Sequence, residues 1–519
     1  MNYSRNHSFS KNMMLIILAF IILVAFMPSM AFAQTNVSGT MSASQFLAAK
    51  DDNNTITLDG DVTLSDQLVI DDGANLIIDL NGNTLSGKDT VIKITHGNVE
   101  LTGQGEVKEN EPFYAPVLLK GSANPNDANY SKVTVGKDVT LTGWSGLFID
   151  RITSNGSNVG YGIVANVYGT LNSVKDTSGA GGHALYVNGT LVATEGNIPK
   201  ITLDGARLNT VASNGIYLAG FADTRIINST ITSNAVGNTG IEIRAGKLYI
   251  ENSIVAGGTG EFTVQPNGNG STTSNVALAV VQHTTKLPLE ITVANGTFTG
   301  GAALFEENAQ KNDAAAIDKI KVDVQDGDFE GIVYSQNKEE FISGGSFNDV
   351  LEPTYISSSV DAKAKVTSKD GTEKYIYGEN SLNRTIANLR VGDSIEFEQV
   401  PADKEYVIPE GVEVTNSTGS DMTINNVTVA DGVTAVVKEP EPTDPSEPVN
   451  PDNPQDNPST DKPATGDQSQ TTGDKTDADK VADSDSPKTG DDTMILGYVI
   501  MMLAALGIGG TLVVNRKKN

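Results

Sequence analysis

Residues 34–350 repeat a short phrase, and this repeat constrains the fold more than any other feature of the chain. Each copy contains a short apolar run with strand-like alternation, a turn rich in Asn, Asp and Gly, and another short run. Most spacings between copies fall at about 22 to 29 residues, with one double-length gap across Gly257–Ser274. This period predicts a solenoid, in which each coil packs on its neighbours. The clearest turn phrases begin at Ile226, Ile250, Val293, Val324 and Ile342.

The repeat favours a parallel β-helix, in which the strands of one coil hydrogen-bond to the strands of the next. Inward Ile, Leu, Val and Phe then form one core, Asn or Asp at the turns stacks from coil to coil, and Gly permits left-handed bends. An antiparallel β-sandwich array would also show short strands and turns. It gives no reason for the same turn phrase in each copy, so we predict an all-β fold with a parallel β-helix over residues 34–350.

The apolar ends of a solenoid need to be covered. Residues 42–49 have the pattern of a short helix that begins at a capping serine, Ser42, and we predict that this helix covers the N-terminal end. Late in the chain, Tyr406–Gly411 parallels Leu68–Gly73. Residues 351–437 are therefore predicted to form a small β-rich unit, either a C-terminal cap or a degenerate second helix start.

The phrase ISGGSF at Ile342–Phe347 resembles one seen in surface proteins with the right-handed β-helix of the pectate-lyase-like superfamily. The resemblance implies a right-handed coil. That superfamily includes lyases, glycoside hydrolases, esterases and adhesins, so the fold by itself selects no activity.

Charge and composition exclude several classes of function. The chain has 64 acidic and 36 basic residues, a formal net charge of −28, which repels nucleic acid, and we expect no nucleic-acid partner. It has no cysteine, which excludes disulfides and cysteine nucleophiles. The 4 histidines argue against a histidine-based metal centre, and no segment matches a known calcium repeat. We expect no cofactor and no metal, with calcium between acidic turns as an open alternative.

Three residues are candidates for contact with a ligand or substrate. Asp150 and Arg151 follow a short strand, where they would form either a carboxylate and base at a coil edge or a strand-end salt bridge. Trp144, the single tryptophan, lies between glycines and would either stack on a sugar ring or fill part of the core. His183 lies among glycines without a nucleophile motif, which indicates a turn. We identify no catalytic constellation.

Residues 1–33 have the order of a secretory signal peptide. They contain a basic start, an apolar core over residues 13–27 and a small-x-small end at residues 31–33. This order predicts cleavage between Ala33 and Gln34 and export of the chain. An N-terminal anchor that stays uncleaved is the alternative.

Residues 438–485 are rich in proline and acidic residues and have almost no large apolar side chains. Such a segment buries too little surface to offset its chain entropy, so we predict disorder. Its prolines favour extended polyproline II, at about 3.1 Å per residue. This composition predicts a spacer that crosses a cell wall.

The last segment, residues 486–519, combines a short polar motif, an apolar run and a basic tail. The run from Met494 to Val514 is long enough to cross a bilayer as a helix, with the basic end on the cytoplasmic side. This order resembles the LPXTG-type sorting signal of sortase-anchored cell-wall proteins in Gram-positive bacteria, with Ser in place of Leu. The resemblance implies that a sortase recognises and cleaves the motif Ser486, Pro487, Lys488, Thr489 and Gly490, cutting after the threonine.

Cleavage of this kind would join the Thr489 carbonyl to peptidoglycan, its covalent partner. A plain C-terminal membrane anchor is the alternative. A second Pro-x-Thr-Gly core, at Lys462–Gly466, is followed by polar residues and is predicted to be part of the spacer.

These features predict a wall-anchored surface protein that binds a carbohydrate or a host protein as a non-enzymatic adhesin. The first alternative is a wall-attached polysaccharide lyase or glycoside hydrolase with a diverged site. The second is a structural component of the wall or of a biofilm.

Overall fold

A computed structural model describes residues 36–192, 194–265, 272–401 and 403–438. From Gly39 to Phe347 the chain forms a β-solenoid, in which each coil contributes strands to three columns, named columns I, II and III in chain order within a coil. Neighbouring strands within each column are parallel, as in Asn75–Asp79 with Gly97–Thr102. The parallel pairing confirms the predicted all-β solenoid over the antiparallel sandwich.

Column I is a separate sheet of ten strands. Its strands are Thr55–Thr57, Asn75–Asp79, Gly97–Thr102, Ser131–Val135, Ile163–Val167, Lys200–Asp204, Asp223–Ile227, Gly246–Glu251, Leu289–Val293 and Ile320–Val324.

Columns II and III join into one sheet because two late strands, Gly296–Glu306 and Asp328–Ser335, run through both columns. Column II also contains Gly39–Met41, Val62–Leu64, Thr84–Gly87, Gly105–Glu109, Val139–Gly143, Thr170–Ser173, Arg207–Thr210, Thr230–Thr232, Ser253–Ala256 and Gly345–Phe347. Column III also contains Leu68–Ile70, Ile92–Ile94, Val117–Lys120, Leu147–Asp150, Leu185–Val187, Ile216–Leu218, Ile241–Ile243 and Val276–Val280.

The solenoid core follows from the two-residue period of these strands, since alternate side chains point inward. The inward positions carry Ile, Leu, Val and Phe, which are buried in one continuous cluster. Near the C-terminal end, Phe298, Phe329 and Phe347 stack with ring centroids 4.9 and 4.8 Å apart. The stacking arises because the parallel register places equivalent residues of successive coils above one another.

The same register would place like charges next to one another on the outer faces. Column I avoids this because basic and acidic residues alternate from coil to coil. Lys200, Asp223, Lys247, Glu290 and Lys321 are successive partners along the column. The Lys247 ammonium lies 2.9 Å from the Glu290 carboxylate. Neighbouring opposite charges stabilise adjacent parallel strands, whereas like charges would repel.

The tight turns between columns I and II carry the stacked amides that the repeat predicts. Asn228 and Asn252 adopt positive φ values of 50° and 47°. The Asn252 side-chain amide donates to Asn228 Oδ1 at 2.6 Å, and the Asn228 amide donates to Asp204 Oδ1 at 3.1 Å. Asn tolerates this left-handed conformation, so the recurrent Asn serves both the bend and the ladder.

A short helix, Ala43–Ala48, lies at the N-terminal end of the solenoid. Ser42 is its N-cap, as the sequence predicts, and the structure adds a capping box between Ser42 and Gln45. Phe46 of this helix is fully buried in the solenoid core. A second helix, Ala314–Ile317, precedes the last strand of column I.

Beyond the last coil, the chain forms a β-rich segment with a second hydrophobic core. Its elements are the 3-10 turn Pro353–Tyr355, the helix Glu379–Ile386 and the strands Lys363–Thr367, Glu373–Tyr377, Ser394–Gln399, Glu405–Tyr406, Glu413–Asn416, Met422–Ile424, Val427–Val429 and Thr434–Val436. Glu373–Tyr377 pairs antiparallel with Gly345–Phe347, so column II continues into this segment. Ser394–Gln399 and Glu413–Asn416 pair in parallel, as coils of a solenoid do.

Three predicted segments lie outside the described residues: the signal peptide with its Ala33–Gln34 cleavage site, most of the spacer, and residues 486–519. In the part of the chain that the structure describes, no helix has the length and apolar character needed to cross a membrane.

Candidate ligand-binding pocket

The outer face of column III differs from the other faces because large side chains cover its centre. The middle residue of each three- or four-residue strand points away from the core, and in four successive coils this residue is Phe148, Tyr186, Tyr217 or Glu242. Phe148, Tyr217 and Glu242 are buried. Long loops on both sides of the column therefore enclose this face, and they form the walls of a site.

The aromatic residues form a ladder along the solenoid axis. The ring centroids of Phe148 and Tyr186 lie 4.4 Å apart with nearly parallel planes, and those of Tyr186 and Tyr217 lie 5.5 Å apart. Tyr114, from a preceding loop, packs 4.9 Å from Phe148. Burial raises the pKa of the Tyr186 hydroxyl, so this group stays protonated and can donate a hydrogen bond at neutral pH.

Buried carboxylates hold the loops against this face. Glu109 accepts hydrogen bonds from the backbone N–H groups of Phe113, Tyr114 and Trp144, at 3.3, 3.1 and 2.8 Å. Burial raises the pKa of Glu109, and the three donors oppose that shift. One carboxylate thus joins the loop before Val117–Lys120 to the loop before Leu147–Asp150.

Glu242 has the same role for the long loop that fills the double-length gap of the repeat. Its carboxylate accepts from the backbone N–H and hydroxyl groups of both Thr272 and Thr273, at distances from 2.7 to 3.1 Å. The insertion between Gly257 and Ser274 is therefore fixed at its returning end by a fully buried acid.

A cavity of about 270 Å³ opens at the carboxyl ends of the column III strands. It is named the central pocket and is lined by Arg151, Tyr186, Asn188, Leu191, Tyr217, Ala219 and His283. Tyrosine rings and small apolar side chains supply contact area, while an amide, an imidazole and a guanidinium supply polar contacts. Convergent polar groups of this kind fix the orientation of a bound ligand.

The residues predicted at positions 150 and 151 have different roles in this pocket. Asp150 forms a strand-end salt bridge, but its partner is Lys120 in the preceding coil. Its second oxygen accepts from the Asn188 side-chain amide at 2.8 Å. The Arg151 guanidinium donates to the Asn188 backbone carbonyl at 3.1 Å and lines the cavity. The two residues are therefore not a carboxylate–base pair.

A second arginine lies behind the tyrosine wall. Arg244 is fully buried, and its guanidinium donates to the Tyr217 hydroxyl at 3.3 Å. On the opposite wall, His283 Nδ1 accepts from the Thr285 backbone N–H at 3.1 Å. That bond places the proton of a neutral His283 ring on Nε2, as a donor.

His183 is a loop residue, as its glycine neighbours indicate, but its ring is buried rather than turned to solvent. The ring centroid lies 4.7 Å from that of Tyr217 and 5.1 Å from that of Tyr186. Ser213 Oγ is 3.1 Å from Nδ1. Burial lowers the pKa of His183 to about 3, so the ring is neutral at physiological pH and supports the tyrosine wall.

Trp144 is partly buried and does not line the central pocket. It lies before the strand Leu147–Asp150, whereas Arg151 follows that strand. The sequence thus located one pocket residue, Arg151, and one residue that orients its neighbours, Asp150.

Sequence reasoning missed the tyrosines, Asn188 and His283. A signal was present: the short strands Leu185–Val187 and Ile216–Leu218 carry a tyrosine between two inward aliphatic residues. An aromatic residue at an outward position of an exposed solenoid face indicates either a covering loop or a ligand.

A larger depression of about 670 Å³ lies across three turns between columns I and II. It includes Lys137 and Arg207 but also Asp138 and Asp204, so opposite charges balance across it. It offers no preference for one sign of ligand charge, and we do not assign a site there.

No family model, curated protein or solved structure matches this chain. Among the residues that the structure describes, no three or more His, Asp or Glu side chains are grouped closely enough to hold a metal ion.

Proposed function

We propose that this chain is an exported surface protein, attached by a sortase to the wall of a Gram-positive bacterium, which binds an extracellular ligand in the central pocket. In this proposal the solenoid is a right-handed β-helix, the hand that parallel crossover connections almost always take. Residues 438–485 hold it away from the wall as a spacer.

A binding function is supported by the convergence of five side chains on one cavity: Arg151, Tyr186, Asn188, Tyr217 and His283. The supporting groups are rigidly placed: Tyr186 and Tyr217 lie on paired strands, and Asn188 is held by Asp150. Preorganised side chains lose little conformational entropy when a ligand binds, which favours affinity. Binding is the function that this arrangement supports best.

The location rests on the sequence alone. A leader with a small-x-small end, a proline-rich acidic spacer, an S-P-K-T-G motif, an apolar run and a basic tail occur in the order that wall anchoring requires. Ligand binding at the cell surface then gives the predicted adhesin.

The test uses a soluble fragment, residues 34–437, which retains both hydrophobic cores. It is incubated with neutral and acidic polysaccharides and with extracellular host proteins, with and without calcium. Both saturable retention and new chain ends are scored. Retention without cleavage is the expected result.

New chain ends that disappear in an R151Q variant would instead favour the polysaccharide lyase or glycoside hydrolase. Neither retention nor cleavage would favour the structural wall component.

A further inference from the structure

We propose that the central pocket selects the terminal residue of a glycan that carries a carboxylate, with Arg151 as the group that contacts the carboxylate. This inference rests on the proposed binding function and names the chemical class of its ligand. Three observations carry it: the charge of the pocket, its size, and the arrangement of its hydrogen-bonding groups.

The charge argument begins with the scarcity of cations, because the chain has 36 basic against 64 acidic residues. Among the described carboxylates, none forms an ion pair with Arg151. Lys120 and Asp150 neutralise each other beside it. The pocket therefore presents a positive charge on an acidic protein, and an anion is the ligand that this charge favours.

The guanidinium suits a carboxylate in geometry as well as charge. Arginine carries five N–H donors in a planar fork, and Asn188 O accepts from Nη1 of Arg151. This contact orients the side chain along the pocket wall. Two parallel N–H groups of a guanidinium match the two oxygens of a carboxylate, and such bonds are roughly twice as strong as neutral ones.

The pocket size indicates one sugar residue rather than the interior of a chain. Its volume of about 270 Å³ is below the roughly 300–1,000 Å³ of pockets for drug-sized ligands. Leu191 and Ala219 line it, and the partly buried Tyr186 ring offers an apolar surface for the C–H groups of a sugar ring. A pocket of this size accepts a chain end.

The Asn188 side chain suits a hydroxyl of a sugar. The side-chain amide nitrogen of Asn188 donates to Asp150. The side-chain oxygen of Asn188 is an acceptor for a ligand hydroxyl. A hydrogen-bond acceptor therefore accompanies the cation.

The experiment uses the mature chain, residues 34–489, and pairs of oligosaccharides that differ at one group. The probes end in glucuronic acid or in a sialic acid, and each is compared with the same oligosaccharide after its carboxyl has been reduced to a hydroxymethyl group. We expect saturable binding of the acids, roughly ten- to hundredfold weaker binding of the reduced forms, and weakening of acid binding by salt.

The variant R151Q removes the cation while keeping a polar side chain. We expect it to lose acid binding by the same roughly ten- to hundredfold and to bind the acids and their reduced forms with equal affinity. R151K should recover part of the affinity, since it restores charge without the planar fork. R225Q is the matched control, because Arg225 stacks 4.6 Å from the Tyr249 ring on column I, a different face.

Equal binding of acidic and reduced glycans would overturn the carboxylate assignment while leaving ligand binding intact. Failure of every carboxylate-terminated probe to bind a folded chain would also overturn it. The proposed binding function would then be tested by the neutral polysaccharides and host proteins described under the proposed function. Failure of the carboxylate assignment is therefore distinguishable from failure of the binding function.

Discussion

Acid should destabilise the coils around the central pocket through His183. This side chain is 8% exposed, and burial lowers its pKa from 6.5 to about 3. The unfolded chain takes up this proton near pH 6.5, but the folded chain does so only near pH 3. Between these values the unfolded state binds more protons, so the free energy of unfolding falls as the pH falls.

The expected slope is about 1.4 kcal/mol per pH unit within this window, which corresponds to about 2 kcal/mol lost at pH 5 relative to pH 7. Many carboxylates also titrate in an acidic protein. The measured quantity is therefore the difference between wild type and H183Q in the slope of the unfolding free energy with pH. The variant lacks the titrating ring, and although it loses packing at all pH values, it should lack this contribution to the slope.

The assay is urea unfolding of the 34–437 fragment at pH 7, 6, 5 and 4, followed by fluorescence. Trp144 is the only tryptophan, and its carbonyl accepts from the backbone N–H of Gly182 at 2.9 Å, beside His183. It therefore reports unfolding of the relevant coils. H96Q is the control, since His96 is exposed. Equal pH slopes for wild type and H183Q would refute the reasoning.

Three further changes test other parts of the chain. T489A should release the protein from the wall fraction into the membrane or medium, as measured by cell fractionation, because it removes the residue whose carbonyl a sortase would transfer. E242A should accelerate hydrogen exchange at the Thr272 amide, because its buried acceptor is lost. F329A should cost about 3–5 kcal/mol in the urea unfolding free energy, because it leaves a cavity inside the phenylalanine stack.

Each of these changes has a matched control or a contrary outcome. T465A alters the second Pro-x-Thr-Gly core and should leave anchoring unchanged, so equal release by both variants would contradict the sorting signal. Unchanged exchange at Thr272 in E242A would show that the loop is held from elsewhere. I332A truncates a side chain that is 43% exposed, and a cost equal to that of F329A would contradict the core assignment.

The fold was largely predictable because its determinants are local and repeated. The turn phrase at Ile226–Ile231 and Ile250–Ile254 fixes a coil length, and stacked coils follow from that period. The Ser42 N-cap was predictable because it directly precedes the helix that it begins. The loops were less predictable, because residues distant in the chain hold them in place, as Glu109 does for Trp144.

The pocket shows the same division between local and distant information. Arg151 was found because it follows a strand end beside a charged neighbour. His283 could not be associated with it from sequence, since 132 positions separate them and only coil stacking brings both to one cavity. The partner of Asp150 was equally hidden, because Lys120 meets it through the register of adjacent coils.

The sequence by itself determined the coil period, the β-rich class, the acidic charge and the order of segments that predicts export and anchoring. These properties depend on composition and on spacing between near neighbours, which a linear chain displays directly. Only the tertiary structure decided which outer face is covered and which acids are buried as loop anchors. It also decided that Arg151 shares a pocket with two tyrosines. Parallel stacking places equivalent positions of separate coils next to one another, about 4.8 Å apart.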